Sequence, residues 1–251
     1  MGSLMQHDAQ LGTSPPDLEK YRGSLACLDT RSFLHNILDT GSPFGELSVV
    51  SSFGADSGVL LHLIAEIAPD ISIIFIDTGF HFGETLVYRD QLVAHLGLSR
   101  LHVVQVDPLS QKRLDARGTL HLHDPNQCCD LRKVQVLNRA LRPFSGWISG
   151  QKRFQTGERA GVDRLEWDAT RKKWKFNPLA DWSQEDLRGY QAKHQIPAHP
   201  LVSMGYTSVG CAPCTTPVSL GEDTRAGRWR GSAKLECGLH ARPDLIAVSA
   251  A

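Results

Sequence analysis

Short apolar runs rich in β-branched residues alternate with helical segments along most of the chain, and this alternation restricts the fold more than any other feature. The predicted strands are residues 47–50, 71–76, 101–106 and 146–149. The helices predicted between them are residues 58–68, 84–96 and 130–141. Strands separated by helices make right-handed crossovers and build a mainly parallel sheet. The sequence therefore predicts an α/β, single-domain fold, with a mainly parallel twisted sheet and helices on both faces.

The C-terminal third is less regular, and it predicts a hairpin followed by one more helix. Trp167 and Trp174 lie in two short runs on either side of a polar turn, so we expect the two indoles to pack across strands. Ser183 and Asp186 have the spacing of a capping box and predict a helix that ends near residue 194. The predicted organisation is a flexible tail at 1–20, an α/β domain at 21–218 and a mobile C-terminal segment at 219–251.

Charge and cysteine content restrict the partners and the compartment. Lys+Arg and Asp+Glu both total 27, so no global field indicates nucleic acid or a membrane surface as a partner. The sequence has neither an apolar run of transmembrane length nor a secretory signal pattern, and we expect a cytoplasmic protein. Structural disulfides are rare in the reducing cytosol, so the six cysteines require another explanation.

A serine-rich loop follows the first predicted strand and opens the first long helix. This position is where an α/β sheet binds an anion, through backbone N–H groups and the helix dipole. The candidate ligand-binding residues are Ser51, Ser52, Gly54 and Ser57. The loop lacks the Gly-Lys-Ser/Thr ending of a Walker A motif. An ordinary strand-to-helix turn with a Ser or Asp cap is the alternative.

A second loop, beginning at Asp77 and Thr78, leaves the next strand at the same edge of the sheet. The carboxyl ends of neighbouring parallel strands lie side by side, so both loops are expected to face one ligand. Asp77 and Thr78 are candidates for contact with a base or a ribose. Taken singly, Thr78 has the alternative role of a helix cap.

Four cysteines occur as two pairs, Cys128-Cys129 and Cys211-Ala212-Pro213-Cys214. Four thiolates can hold a zinc ion or a [4Fe–4S] cluster, and the vicinal first pair is atypical of zinc sites. A redox dithiol and simple burial are the alternatives. Cys27 has no chemical partner in its segment and is interpreted as a structural thiol.

A further cysteine, Cys237, lies near the end of the chain in Glu-Cys-Gly-Leu-His. A cysteine in a flexible, electropositive setting can be a nucleophile with a low pKa. Arg225, Arg228 and Arg230 lie upstream and are candidates for supplying the positive charge. By itself, a lone C-terminal cysteine has no required function.

Together these features resemble the assimilatory sulfonucleotide reductases, and within them the adenylylsulfate (APS) reductase branch. The resemblance runs from about residue 47 to residue 240. Besides the serine-rich loop and Asp77-Thr78-Gly79, it rests on Cys128-Cys129-Asp130-Leu131-Arg132-Lys133, Lys175-Phe176-Asn177-Pro178-Leu179, Gly210-Cys211-Ala212-Pro213-Cys214-Thr215, Gly227-Arg228-Trp229 and Glu236-Cys237-Gly238-Leu239-His240. The last of these motifs is highly specific.

The resemblance implies a fold of the adenine nucleotide alpha hydrolase-like, PP-loop type and a complete reaction. Adenosine 5′-phosphosulfate would be reduced to sulfite and AMP, in sulfate assimilation and cysteine biosynthesis. Cys237 would attack the sulfate sulfur and form an S-sulfocysteine, from which thioredoxin or glutaredoxin would release sulfite. The implied cofactor is a [4Fe–4S] cluster on Cys128, Cys129, Cys211 and Cys214. The other implied catalytic residues are His240, Lys133, Arg225 and Arg228.

One stretch departs from the family pattern. Residues 150–156 occupy the place where the family has two arginines followed by Asp or Glu, Gln and Ser. Arg153 can replace one arginine and is a candidate substrate-binding residue, and Lys152 is a weaker replacement for the other.

Three alternatives remain open at this point. The first keeps the fold but uses 3′-phospho-APS (PAPS), alone or together with APS. The second is an ATP-dependent adenylyltransferase of the PP-loop type, although the paired glycines usual in that loop are missing here. The third is a zinc-stabilised nucleotide-binding module without turnover. A homo-oligomer is also left open.

Overall fold

The structure is a computed structural model and describes residues 17–240. Within these residues, six strands form one sheet in the order β3-β2-β1-β4-β6-β5. The strands are β1 (Leu47–Val50), β2 (Ser72–Asp77), β3 (Leu101–Gln105), β4 (Gly146–Ile148), β5 (Leu165–Asp168) and β6 (Lys173–Phe176). All neighbouring pairs are parallel except β5 with β6. The predicted mainly parallel sheet is confirmed.

The helices connect the strands and lie on both faces of the sheet. They are α1 (Leu18–Ala26), α2 (Thr30–Leu38), α3 (Ser57–Ile67), α4 (Gly83–His95), α5 (Pro108–Leu114), α6 (Leu120–His123), α7 (Pro125–Cys129), α8 (Gln135–Ala140) and α9 (Gln184–Lys193). Alternate residues of β2 divide between two apolar cores. Ile73 and Phe75 pack with α2 and α3, whereas Ile74 and Ile76 pack with the α8 side.

The helix predicted at 130–141 differs from the observed one in its start and in its winding. Pro125 occupies the first helical turn, and Asp124 caps it by accepting from the backbone N–H groups of Asn126 and Gln127. A π-helical turn, Asp130–Val134, then joins α7 to α8. Wider turns of this kind are frequent at functional sites, and this one carries Arg132 and Lys133.

The N-terminal boundary also differs from the prediction. Helix α1 begins at Leu18, inside the stretch predicted as a flexible tail, because Asp17 caps it and Leu25 is buried. Residues 1–16 and 241–251 of the two predicted mobile ends lie outside the described residues. Within residues 17–240, no helix combines the length and the apolar character needed to cross a membrane.

The predicted hairpin and capping box are confirmed. Trp167 on β5 lies opposite Trp174 on β6, and their ring centroids are 5.6 Å apart in an edge-to-face arrangement. Ser183 and Asp186 cap the start of α9, which ends at Lys193.

The order of the strands determines where a ligand can bind. From β1 the chain passes outward to β2 and β3, and it then returns to place β4 on the other side of β1. The loops after β1 and β4 therefore leave the sheet in opposite directions. Between them is a crevice at the carboxyl ends of the strands, which is where open α/β sheets bind ligands.

Candidate active site

A cavity of about 220 Å³ lies in this crevice. The loop after β1 forms one wall and the loop after β4 another, and the C-terminal segment also lines the cavity. The serine-rich loop contributes Ser51, Ser52, Gly54 and Ser57.

The serine-rich loop has a backbone shaped for close approach. Phe53 has a φ of 49°, in the left-handed region, and its backbone N–H donates to Oγ of Ser51 at 3.2 Å. A Cβ at Gly54 would lie 3.3 Å from the carbonyl oxygen of Val209, which favours glycine there. Helix α3 begins at Ser57 and directs its N-terminus toward the cavity, so the loop can bind an anion.

Asp56 does not cap α3 as an ordinary turn would require. Its side chain makes no capping hydrogen bond, and its Oδ2 instead accepts from Nζ of Lys152 at 3.0 Å. Lys152 is 3% exposed and lines the cavity. Burial lowers the pKa of Lys152, and the Asp56 carboxylate opposes this shift. The pair joins the loops after β1 and β4.

Arg153, predicted to bind substrate, points away from the cavity. Its Nε donates to the carbonyl of Val162 at 2.7 Å, and its guanidinium pairs with the carboxylates of Asp163 and Asp181. These two carboxylates hold the Arg153 side chain outside the cavity. The arginine that lines the cavity from this region, beside Lys152, is Arg159, six positions further on.

The two residues of the second loop have different positions. Thr78 lines the cavity, but Asp77 is not among the lining residues. Asp77 accepts from the backbone N–H of Gly79 at 2.9 Å and from Gln105 at 2.8 Å. Burial would raise the pKa of Asp77, but these hydrogen bonds hold it below its usual range. His81, which sequence reasoning missed, also lines the cavity, and burial lowers its pKa.

The C-terminal segment brings a cysteine thiol and positive charge to the cavity. Arg225, Arg228, Cys237 and His240 all line it, as does Glu236, which was not predicted. Burial lowers the pKa of Arg225 to about 10.

The position of Arg228 depends on a glycine opposite it. The Arg228 guanidinium lies against Gly210, and a Cβ at that position would overlap it. The third arginine, Arg230, is engaged elsewhere, because it forms an exposed pair with Glu222.

Lys133 lies between this cavity and the cysteine pairs, since it lines both the cavity and a smaller one beside it. Burial opposes the charged form of its ammonium group. Attraction to the thiolate forms of Cys211, Cys237 and Cys129 outweighs burial and raises the pKa of Lys133. Lys133 therefore places a positive charge between the larger cavity and the four paired cysteines.

The smaller cavity is lined by all four paired cysteines, Cys128, Cys129, Cys211 and Cys214. All of them are free thiols, and Cys211 Sγ is 3.3 Å from Oγ1 of Thr78. Burial raises the pKa of Cys128 to about 11, with the neighbouring Cys129 as the next cause. Cys27 is exposed and lies outside both cavities.

Thiols of this kind are unfavourable as isolated thiolates, and a bound metal centre would stabilise the ionised form. Four of them around one cavity, with Lys133 and Arg132 at its wall, fit a cofactor held by cysteine thiolates. Among residues 17–240, no three His, Cys, Asp or Glu side chains are grouped to hold a single metal ion. The fit therefore rests on the donor set and the shared cavity.

Comparison with known proteins places the chain among sulfonucleotide enzymes. A family model described as "Phosphoadenosine phosphosulfate reductase domain" matches residues 46–217. The adenosine 5′-phosphosulfate reductase of Mesorhizobium japonicum is 49% identical over 195 residues, which is 78% of this chain and 76% of the relative. The phosphoadenosine 5′-phosphosulfate reductase of Gloeobacter violaceus is 42% identical over 202 residues, covering 79% of this chain and 84% of the relative.

Among solved structures, phosphoadenylyl-sulfate (PAPS) reductase from Candida auris superimposes with a TM-score of 0.68 at 22% identity. The match covers 86% of this chain and 100% of the other. At this identity the likeness establishes a shared fold.

Proposed function

The chain belongs to the phosphoadenosine phosphosulfate reductase family, and we propose that it reduces adenosine 5′-phosphosulfate (APS) to sulfite and AMP. The observation that carries this proposal is the position of Cys237. Its thiol lines the same cavity as the serine-rich loop, Lys133, Arg225 and Arg228. A nucleophile surrounded by cations, opposite an anion-binding helix N-terminus, fits attack on an anionic group.

The first step is a displacement at sulfur. The Cys237 thiolate attacks the sulfate sulfur of APS, and the sulfur–oxygen bond to the phosphate breaks. The electron pair leaves with AMP, and an S-sulfocysteine remains on the enzyme. Lys133, Arg225 and Arg228 stabilise the charge that develops on the departing phosphate, and guanidinium forks match its tetrahedral oxygens.

The second step uses a dithiol protein of the thioredoxin or glutaredoxin class. Its thiolate attacks Sγ of Cys237, sulfite leaves with the electron pair of the sulfur–sulfur bond, and a mixed disulfide forms. The second thiol of the partner resolves this disulfide and regenerates Cys237. The partner supplies both electrons, and we place the reaction in the cytoplasm, where such dithiols are kept reduced.

We further propose that Cys128, Cys129, Cys211 and Cys214 hold a [4Fe–4S] cluster. When bound, the cluster would contribute a fixed charge beside Lys133 and would tie the loop at 211–214 to the end of α7, directly before the π-helical turn. No electron needs to pass through it, because the dithiol partner provides the reducing equivalents. The cations of this chain that would contact the substrate are then Lys133, Arg225 and Arg228.

Substrate choice between APS and PAPS is the part of the proposal that needs the most direct test. Relatives named for each nucleotide match the chain at more than 40% identity, and the relative with the higher identity of the two is named for APS. We propose APS as the main substrate because the four paired cysteines match the cluster-bearing branch that the sequence resembles.

The test is sulfite release by anaerobically purified protein with thioredoxin, measured with APS and with PAPS, alongside the visible absorbance of the protein. Brown protein with strong preference for APS supports the proposal. Comparable turnover of PAPS would keep the chemistry and revise the substrate to both nucleotides. Colourless protein that releases no sulfite, or protein that exchanges ATP with pyrophosphate, would contradict it.

A further inference from the structure

The carboxylate of Glu236, next to the proposed nucleophile, is held by a guanidinium from the other side of the cavity. Nε of Arg159 donates to Oε1 of Glu236 at 2.6 Å, and Nη2 donates to Oε2 at 2.9 Å. The side chains of Arg159 and Glu236 are 11% and 20% exposed. A largely buried, two-bond contact between an arginine and a carboxylate fixes the relative orientation of the two side chains as well as their distance.

The α/β domain holds Arg159 in place independently of the C-terminal segment. Arg159 ends a short 3-10 turn, Gly157–Arg159, and its backbone N–H donates to Oγ1 of Thr156 at 3.2 Å. Its remaining guanidinium nitrogen, Nη1, donates to Oε1 of Gln155. Arg159 is therefore a fixed point in the loop after β4.

The same contacts show which arginines are available to an anionic substrate. Glu236 accepts from the Nε–Nη2 edge of the Arg159 guanidinium and Gln155 accepts from Nη1, so three of its five N–H donors are engaged while Glu236 is in place. Arg225 has only a longer contact with Glu236, at 3.5 Å, and it also donates to the carbonyl of Leu235. Arg225 and Arg228 can thus donate hydrogen bonds to an anionic substrate in the cavity, while Arg159 binds Glu236 of the C-terminal segment.

We propose that the Glu236–Arg159 ion pair is the docking contact that positions Cys237 over the cavity. Glu236 is a positioning residue for the reaction proposed above, on which its role in turnover rests. Docking itself does not depend on that reaction. Breaking the pair releases the segment and moves Cys237 away from the site of attack, while the cavity that binds the nucleotide stays intact.

The test is the accessibility of the segment in anaerobically purified, full-length protein carrying Glu236→Gln. We expect cleavage by a lysine-specific protease after Lys234 to rise about tenfold, as loss of a charge-assisted pair predicts. Alkylation of Cys237, measured by peptide mass spectrometry against the exposed Cys27, should rise in parallel. Cleavage is the deciding readout, because it does not depend on the ionisation of the thiol.

Glu222→Gln is the matched control. Glu222 also forms a two-bond pair with an arginine of the same segment, Arg230, but this pair is more exposed and outside the cavity lining. We expect its cleavage rate after Lys234 to equal that of the wild type. Equal increases in both variants would overturn the proposal, since any lost surface pair would then have the same effect.

Arg159→Met completes a double-mutant cycle. If the pair acts as a unit, Glu236→Gln adds nothing to cleavage in the Arg159→Met background. Additive effects, or unchanged cleavage in Glu236→Gln alone, would overturn the docking proposal.

A turnover assay gives a separate readout. Glu236→Gln should lower kcat about tenfold, while its affinity for AMP stays within about twofold of the wild type. A chain that proves inactive on APS would refute the proposed function and leave the cleavage result able to decide docking.

Discussion

The imidazole of His240 stacks on the indole of Trp147, with ring centroids 5.3 Å apart and ring planes 17° apart. Trp147 is fully buried on β4, and His240 lies at the end of the described part of the C-terminal segment. The stack therefore joins the sheet directly to the segment that carries Cys237. Nζ of Lys175 lies 5.5 Å from the ring centroid of the same indole, and burial lowers the pKa of Lys175 to about 8.

This environment predicts a segment that opens in acid. Burial, followed by the positive charges of Lys175, Arg159, Arg171 and Arg225, holds the pKa of His240 well below its usual range. When the segment is undocked, the imidazole has an ordinary pKa near 6.5 and is protonated below that pH. The docked imidazole stays neutral there because its pKa is lower. The contribution of His240 to the free energy of docking is therefore complete above about pH 6.5. It decreases as the pH falls below that value, by up to about 1.4 kcal/mol per pH unit.

The measurement for this prediction is cleavage after Lys234 at pH 7.5 and pH 5.5. We expect cleavage of the wild type to increase in acid, after correction for the pH dependence of the protease on a peptide. His240→Gln removes the titrating group and should flatten this response. An equally steep response in His240→Gln would show that another group is responsible.

A second prediction concerns the proposed cluster ligands. Cys128→Ser should lose iron and much of its soluble yield, because metal binding by cysteine thiolates is coupled to folding. Cys27→Ser is the control, since that thiol is exposed and far from the other five in the sequence. Iron content and the visible spectrum of the two variants are to be compared. A stable, iron-free and fully active Cys128→Ser protein would refute the cluster.

A third prediction concerns the support of the π-helical turn. Arg132 donates from Nε and Nη2 to Asp115 at 3.2 and 2.7 Å, and from Nη1 to the carbonyl of Thr78 at 2.9 Å. Its guanidinium also lies over Phe80, 4.3 Å from the ring centroid. Lysine cannot reproduce this planar set of contacts, so Arg132→Lys should lower the free energy of unfolding by about 2–4 kcal/mol.

Urea unfolding of Arg132→Lys, with Arg142→Lys as control, measures this loss. Arg142 is exposed just after α8, and its substitution should change the free energy of unfolding by less than about 0.5 kcal/mol. Equal stability of the two variants would mean that the buried pair contributes nothing specific.

The parts of the fold and site that sequence could predict are those with local signals. The apolar run of β2 and the capping box at Ser183 each depend on residues near in sequence, and both predictions are confirmed. Lys133 and the four paired cysteines could be predicted as site residues because they lie in short, specific motifs. Their presence around one cavity required the fold.

Two predicted site residues lie outside the cavity lining because they have partners beyond their own motifs. Arg153 pairs with Asp163 and Asp181, and Asp77 accepts from Gln105 as well as from the nearby Gly79. Arg159 and Glu236 were missed for the same reason, because their contact joins positions 77 residues apart. The π-helical turn also escaped prediction, since Asp130–Val134 has the apolar spacing of an ordinary helix.

The most direct test of the account is mass spectrometry of the protein after incubation with APS in the absence of any thiol reductant. We predict that the peptide containing Cys237 gains the mass of one sulfonate group, that AMP is released in equal amount, and that added thioredoxin removes the modification and yields sulfite. Cys237→Ser should keep its iron and bind the nucleotide but form no adduct. An unmodified Cys237 after AMP release, an adduct on another cysteine, or sulfite release by Cys237→Ser would contradict the central claim.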